Sequence, residues 1–291
     1  MTLRELAFPA MGTRVRLLGA PGAPLDAARE LIESLEARLT RFDPESELCR
    51  LNADPREVVP ASPELRAAVQ AALDGAAATG GLADPTLLGA LVKAGYARSL
   101  TGRPRADLRE ALAAAPPSQP AAPQRFAAWR LVRVEGEAIV RPPGVRLDLG
   151  GSAKGHAADL AAAMLAPYGP CAADLGGDLR VSGVHEIHVL DPLTGKAAAT
   201  LALDGDALAT SGIDRRLWWD GDRPAHHLLD PTTNRPAWTG VLTATAKAPT
   251  AALAEALAKA AVLAGPTGGR RILAAYGGVL IEYDGAVEVA A

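Results

Sequence analysis

Two copies of one tetrapeptide, Asp148-Leu149-Gly150-Gly151 and Asp174-Leu175-Gly176-Gly177, carry the first hint of chemistry in this 291-residue chain. Glycines let a backbone approach a ligand closely. The first copy runs into Ser152-Ala153-Lys154-Gly155-His156, where a strand ends and a helix begins. Free N–H groups at a helix start, with the Lys154 ammonium beside them, suit a phosphate or pyrophosphate. On its own the segment reads equally well as an ordinary glycine turn with a solvated lysine, because it is neither a P-loop nor a dinucleotide fingerprint. The second copy is followed by Asp178. Two such turns could wall one nucleotide site, although Asp178 capping a tight turn explains the lone string better.

Three further segments carry reactive types. Ala209-Thr210-Ser211-Gly212 offers two hydroxyls to phosphate oxygens, or is a plain polar turn. In His226-His227-Leu228-Leu229-Asp230-Pro231 a histidine shortly before a turn could act as general base. Adjacent histidines on a strand face opposite ways, so at most one acts and the two do not share a metal ion. A satisfied structural histidine is the plainer account. Glu255 and Lys259 stand four apart on a helix opened by Thr250, a spacing that by itself reads as a surface ion pair worth about 0.3–0.5 kcal/mol.

The elements that must position these groups follow from the pattern. Residues 13–18 alternate as a half-exposed strand. Asp26 stands at an N-cap position before a helix with Leu31, Ile32, Leu35 and Leu39 on one face. Ser62-Pro63-Glu64 opens a second helix with Leu65, Val69, Ala72 and Leu73 as its stripe. Residues 113–123 form a turn-rich connector. Short strands are expected at 131–134, 138–140 and 145–149, then a helix with Leu160 and Met164. Further strands fall at 178–182, 185–190, 197–203 and 240–247, a helix at 250–264, and a short element at 271–275. Asp284-Gly285 between the apolar runs 279–283 and 286–289 reads as a two-residue hairpin link. Without regular βαβ alternation, the expectation is α+β, with mixed, largely antiparallel sheets flanked by helices in one domain over 1–291.

A net charge of −3 provides no basic field for nucleic acid. No window approaches the ~20 apolar residues of a membrane span. The opening residues lack a basic segment followed by an apolar one, so a cytoplasmic enzyme is the expectation. Cys49 and Cys171 are expected as reduced thiols, since two thiols alone cannot build a zinc site.

Taken in order, these segments resemble the FAD:protein FMN transferases, the ApbE or thiamine-biosynthesis-lipoprotein family, almost end to end. The likeness includes Ala10-Met11-Gly12-Thr13, the run Phe42-Asp43-Pro44-Glu45-Ser46-Glu47-Leu48-Cys49-Arg50-Leu51-Asn52, and Gly81-Leu82-Ala83-Asp84-Pro85-Thr86. The resemblance implies that FAD is bound in a cleft as substrate, its pyrophosphate cut, and FMN passed to a Thr or Ser of an acceptor protein with release of AMP. His227 matches the family's base. Met11 and Phe42 match positions that line the flavin. Asp148, Lys154, Gly176, Gly177, Asp178, Thr210, Ser211 and Asp230 match nucleotide-site positions.

Members that use Mg²⁺ hold it with Asp and Thr four residues apart, helped by a carbonyl near Ala153. Here Glu255 and Lys259 stand at those two positions. A protonated lysine cannot ligate Mg²⁺ and repels it. Two expectations follow. Either the Lys259 ammonium sits where Mg²⁺ would, or Lys259 pairs with Glu255 in a non-catalytic FAD carrier or sensor. FAD hydrolysis to FMN and AMP is a third outcome of the same site. Smaller departures are Asp174 for Asn, Asn234 for Gly and Ala83 for Phe. The acceptor is expected to be cytoplasmic.

Overall fold

The computed structural model describes residues 3–100 and 105–290. Its spine is an eight-stranded sheet: Arg4–Ala10 (β1), Thr13–Gly19 (β2), Cys171–Leu175 (β3), Asp178–Ser182 (β4), Ala207–Gly212 (β5), Val241–Ala248 (β6), Gly278–Glu282 (β7) and Val287–Ala290 (β8). Spatial order equals chain order, and every neighbouring pair is antiparallel. The expected α+β class with antiparallel sheets is what forms.

Four helices matter for the site: Leu25–Leu39 (α1), Pro63–Ala78 (α2), Ala153–Leu165 (α3) and Ala251–Leu263 (α4). α4 lies on β5 and β6 and packs against both α2 and α3. It is buried nearly all round, through Ala251, Ala254, Ala256, Ala258, Ala260 and Ala261 among others, as a helix enclosed on every side must be. Small side chains allow the close approach. A Cβ at Gly155 of α3 would lie 2.5 Å from the Ala251 carbonyl oxygen, so that helix crossing requires glycine. α2 starts as its sequence dictates, with Pro63 in the first turn and the Ser62 hydroxyl accepting from the Leu65 N–H at 3.2 Å.

Several expectations need correction. Asp26 is not a cap: α1 begins at Leu25 after Pro24, and Asp26 sits in its first turn, where a carboxylate still favours the positive helix end. Residues 145–149 join no sheet. The Asn52 side chain stands in for a neighbouring strand, accepting from Leu147 N–H at 2.7 Å and donating to Leu147 C=O at 2.8 Å, while Asp148 N–H donates to Pro85 C=O. Residues 128–131 form a 3₁₀ turn before a strand at Arg133–Glu135. The element expected at 271–275 is the end of a longer helix, Gly265–Leu273, obscured by its proline and glycines. The final hairpin forms, but Glu282 and Ala286 close a three-residue link with Gly285 at φ +86°, a glycine-bulge turn instead of a two-residue one.

Candidate active site

The two glycine turns lie at the ends of α3 and the central strands, and the site is assembled around them. Met11 and Gly12 link β1 to β2 with φ of +53° and +68°. Left-handed backbone is uncommon for methionine. Behind this turn lies the second Asp-Leu-Gly-Gly, which joins β3 to β4. Gly176 has φ +72°, and a Cβ there would fall 1.9 Å from the Thr13 hydroxyl, so only glycine fits. Gly177 N–H donates to Asp174 Oδ1 at 2.9 Å, its carbonyl accepts from Thr210 N–H, and Arg215 donates to the Gly176 carbonyl. Thr210 and Ser211, on β5, therefore stand beside the Gly176–Gly177 turn. The Thr210 hydroxyl is bonded to that of Thr245 at 2.8 Å.

The first Asp-Leu-Gly-Gly leads into α3. Lys154, in the first turn, reaches the Asp178 carboxylate at the start of β4 and Glu255 Oε1 on α4, the latter at 2.6 Å. The other Glu255 oxygen accepts from the Gly155 N–H at 2.9 Å, one of the donors a helix start leaves free. These groups are buried, which costs several kcal/mol per ion unless each is paired. Burial alone would lower the Lys154 pKa, but Asp178 and Glu255 outweigh it and hold the ammonium charged. Burial and the neighbouring Glu255 charge raise the Asp178 carboxyl, against the pull of Lys154.

Lys259, one turn beyond Glu255, does not pair with it. It borders a small cavity with Asp84, Asp148, Gly151 and Ser152. Burial lowers its pKa, opposed by the charges of Asp148, Glu255 and Asp84. On the other side of Asp148, at 3.6 Å, lies the nearly buried Arg41. The Arg41 guanidinium sits over the Phe42 ring at 4.3 Å and the Tyr96 ring at 4.4 Å, and Tyr96 packs at a tilt against Trp218. Phe42 remains 41 % exposed.

His226 ends the strand Arg223–His226, and His227 follows it in a bend, so strand alternation does not apply to the pair. His226 is fully buried against Trp238, and burial drives its pKa down to about 3. His227 lies towards the cations. Burial first, then the charges of Arg216, His226, Lys259 and Lys154, hold its pKa well below the ordinary value. Its Nδ1 is buried without a hydrogen-bond partner. Asp230 plays a different part: its Oδ1 accepts from Thr232 N–H at 3.0 Å and Ala122 N–H at 3.2 Å, fixing the turn after His227.

Residues 11–281 match the sequence profile of the ApbE family. The chain belongs to the ApbE family. An FAD:protein FMN transferase of Treponema pallidum is 30% identical over 87% of this chain and 75% of its own length. One of Rhodobacter capsulatus is 36% identical over 46% of this chain, a stretch spanning only 27% of that relative. The crystal structure of the ApbE protein from Thermotoga maritima, 25% identical, superposes with a TM-score of 0.83 over 99% of this chain and 97% of that one. The flavin transferase ApbE of Vibrio cholerae, 22% identical, shares the fold with a TM-score of 0.76, over 99% of this chain and 96% of its own.

Within this ApbE chain the expected Mg²⁺ donors do not fit the ion. Each Glu255 oxygen already accepts a hydrogen bond, from the Lys154 ammonium and the Gly155 N–H, and with Lys259 one turn on two positive charges oppose a metal cation there. No cluster of three His, Cys, Asp or Glu among the described residues could hold a metal. Sequence reasoning passed over Arg41, Asp84, Tyr96 and Arg216 as site residues. Asp84 had a signal, the quoted Gly81–Thr86 string, and Arg41 adjoins Phe42.

Proposed function

We propose that this chain is an FAD:protein FMN transferase, with FAD as substrate and a Thr or Ser hydroxyl of another protein as acceptor. The observation that carries the reading is His227, an imidazole kept neutral beside Lys154, Lys259 and Arg216, with a ring nitrogen free of partners. A neutral imidazole accepts a proton, and cations around it stabilise phosphate charge. The acceptor hydroxyl gives its proton to His227 as its oxygen bonds to the FMN phosphorus. The bond from that phosphorus to the bridging oxygen breaks, and AMP leaves with the electron pair.

The other assignments extend this reading to the residues that match the family's site. Met11 and Phe42 border the flavin ring. Gly176, Gly177, Thr210 and Ser211 face the nucleotide, and Asp178 fixes Lys154 beside it. Asp148 positions Arg41, while Asp230 orders the turn behind His227. One buried core joining Phe8 to Leu280 supports a single domain. No helix among the described residues is long and apolar enough to cross a membrane. We place the acceptor in the cytoplasm, a reading supported by the free Cys49 and Cys171 thiols and tested by cell fractionation.

A second reading, an FAD carrier without transfer, is favoured by the spent Glu255 donors. One assay decides between them: AMP release and protein-bound flavin, followed with FAD and a candidate acceptor. His227→Ala is expected to slow AMP release by about 10²–10⁴-fold while FAD still binds. Because the free-enzyme His227 pKa lies below 6.5, kcat/KM holds its neutral-pH value as pH falls through that point. Tight FAD binding with no AMP in any condition would leave the carrier reading.

A further inference from the structure

Lys259 is one of the cations near His227, and its surroundings give it a more definite part. Its side chain leaves α4 toward the first Asp-Leu-Gly-Gly, and a Cβ added at Gly151 would lie 2.9 Å from the ammonium. The ammonium therefore rests on a backbone that offers it room because residue 151 has no side chain. Three carboxylates, Asp84, Asp148 and Glu255, attract it, and none of them is hydrogen-bonded to it. Glu255 is bound to Lys154 and Gly155 N–H. Asp148 accepts from Gly150 N–H and faces Arg41. One Asp84 oxygen accepts from Thr86 N–H and its hydroxyl, and the other is buried without a partner. Lys154, the neighbouring ammonium, is already shared by two carboxylates. Lys259 makes no hydrogen bond or close ion pair among the described residues, and it borders the cavity between the Gly150–Gly151 turn and Asp84. A half-buried cation, drawn on by three acids and hydrogen-bonded to none, can supply charge to an anionic ligand.

We propose that the Lys259 ammonium is a built-in cation for the pyrophosphate of FAD, so that this chain binds FAD without a divalent metal. The inference rests on the flavin reading and deepens it. Lysine on a rigid helix provides a single positive charge fixed by the fold, whereas a chelated ion would depend on supply and on oxygen donors that this site has committed elsewhere.

The test is FAD affinity of the full chain, read by flavin fluorescence in EDTA and then in Mg²⁺. The apparent Kd is expected to agree between the two buffers within about twofold. Lys259→Met should weaken binding in EDTA by about 10–100-fold, the scale of a lost charge-assisted hydrogen bond, and Lys259→Arg should keep most of it. Lys259→Thr combined with Glu255→Asp should bind FAD well only with Mg²⁺. Wild-type binding that requires Mg²⁺ overturns the proposal and leaves the flavin reading intact. So does a folded Lys259→Met protein, checked by thermal melting, that binds as wild type in EDTA. If Lys259→Met does not fold, the wild-type comparison and Lys259→Arg still decide. No FAD binding by the wild type in either buffer overturns both readings.

Discussion

The same four residues, Asp-Leu-Gly-Gly, make two different turns in this molecule. At 174–177 they close a β-hairpin, with Gly176 and Gly177 at φ of +72° and +104°. At 148–151 neither glycine has positive φ, and the turn feeds a helix. Even the aspartates act over different spans. Asp148 accepts from the N–H two residues on, and Asp174 from the one three residues on. The string permits both shapes, and the neighbours choose. Ser-Ala-Lys-Gly-His continues as helix, while Asp-Leu-Arg-Val-Ser continues as strand. The glycines are thus needed for separate reasons: left-handed backbone and contact with Thr13 in one copy, room for the Lys259 ammonium in the other.

Breaking that comparison should hurt the hairpin copy most. Gly176→Ala places a Cβ on the Thr13 side chain at a positive φ. The backbone penalty of about 1–2 kcal/mol and the overpacking penalty of about 1–3 kcal/mol together predict a loss on the order of 2–5 kcal/mol. Urea unfolding measures it. A loss under about 1 kcal/mol would mean that the hairpin turn is not as described.

The helix copy sharpens the comparison by separating binding from folding. Gly151→Ala meets only the far end of the Lys259 side chain, which can move. Stability is expected to change by less than about 1 kcal/mol. FAD affinity in EDTA should fall by about tenfold, because the displaced ammonium no longer meets the pyrophosphate. Equal losses in both copies, or a stability loss without a binding loss, would remove the special role of Gly151.

The contrast also shows what sequence could and could not foretell. Helix stripes such as Leu65, Val69, Ala72 and Leu73 are legible because their period and caps are local. The strand 207–212 went unseen because Ala207 and Ala209 suit either face, and it is held by partners on β4 and β6. In the site, the glycine, hydroxyl and histidine segments were legible as candidates from their order along the chain, and Thr210 does stand beside the Gly176–Gly177 turn. The pairing was not legible. Glu255 sits four residues before Lys259, which suggests a surface pair, yet it is 3 % exposed and bound to Lys154, 101 residues away in the chain. That choice is made when α3 packs on α4 through Gly155, a contact no local pattern encodes.

The smallest effect is the most discriminating. Gly150 is the counterpart of Gly176 in the repeat, but its φ is not positive, and an added Cβ would meet only the Asp148 carboxylate at 3.1 Å. Replacing glycine by alanine where the backbone already suits it gains about 0.4–1 kcal/mol through the unfolded state. Nudging Asp148 off the Gly150 N–H costs about 0.5–1.5 kcal/mol, the worth of one hydrogen bond. The two nearly cancel, so Gly150→Ala should leave stability within about 1 kcal/mol of wild type by the same urea titration. A cost as large as that of Gly176→Ala would show that the two copies share a backbone state after all, and would withdraw the argument that Gly151 is kept bare for Lys259.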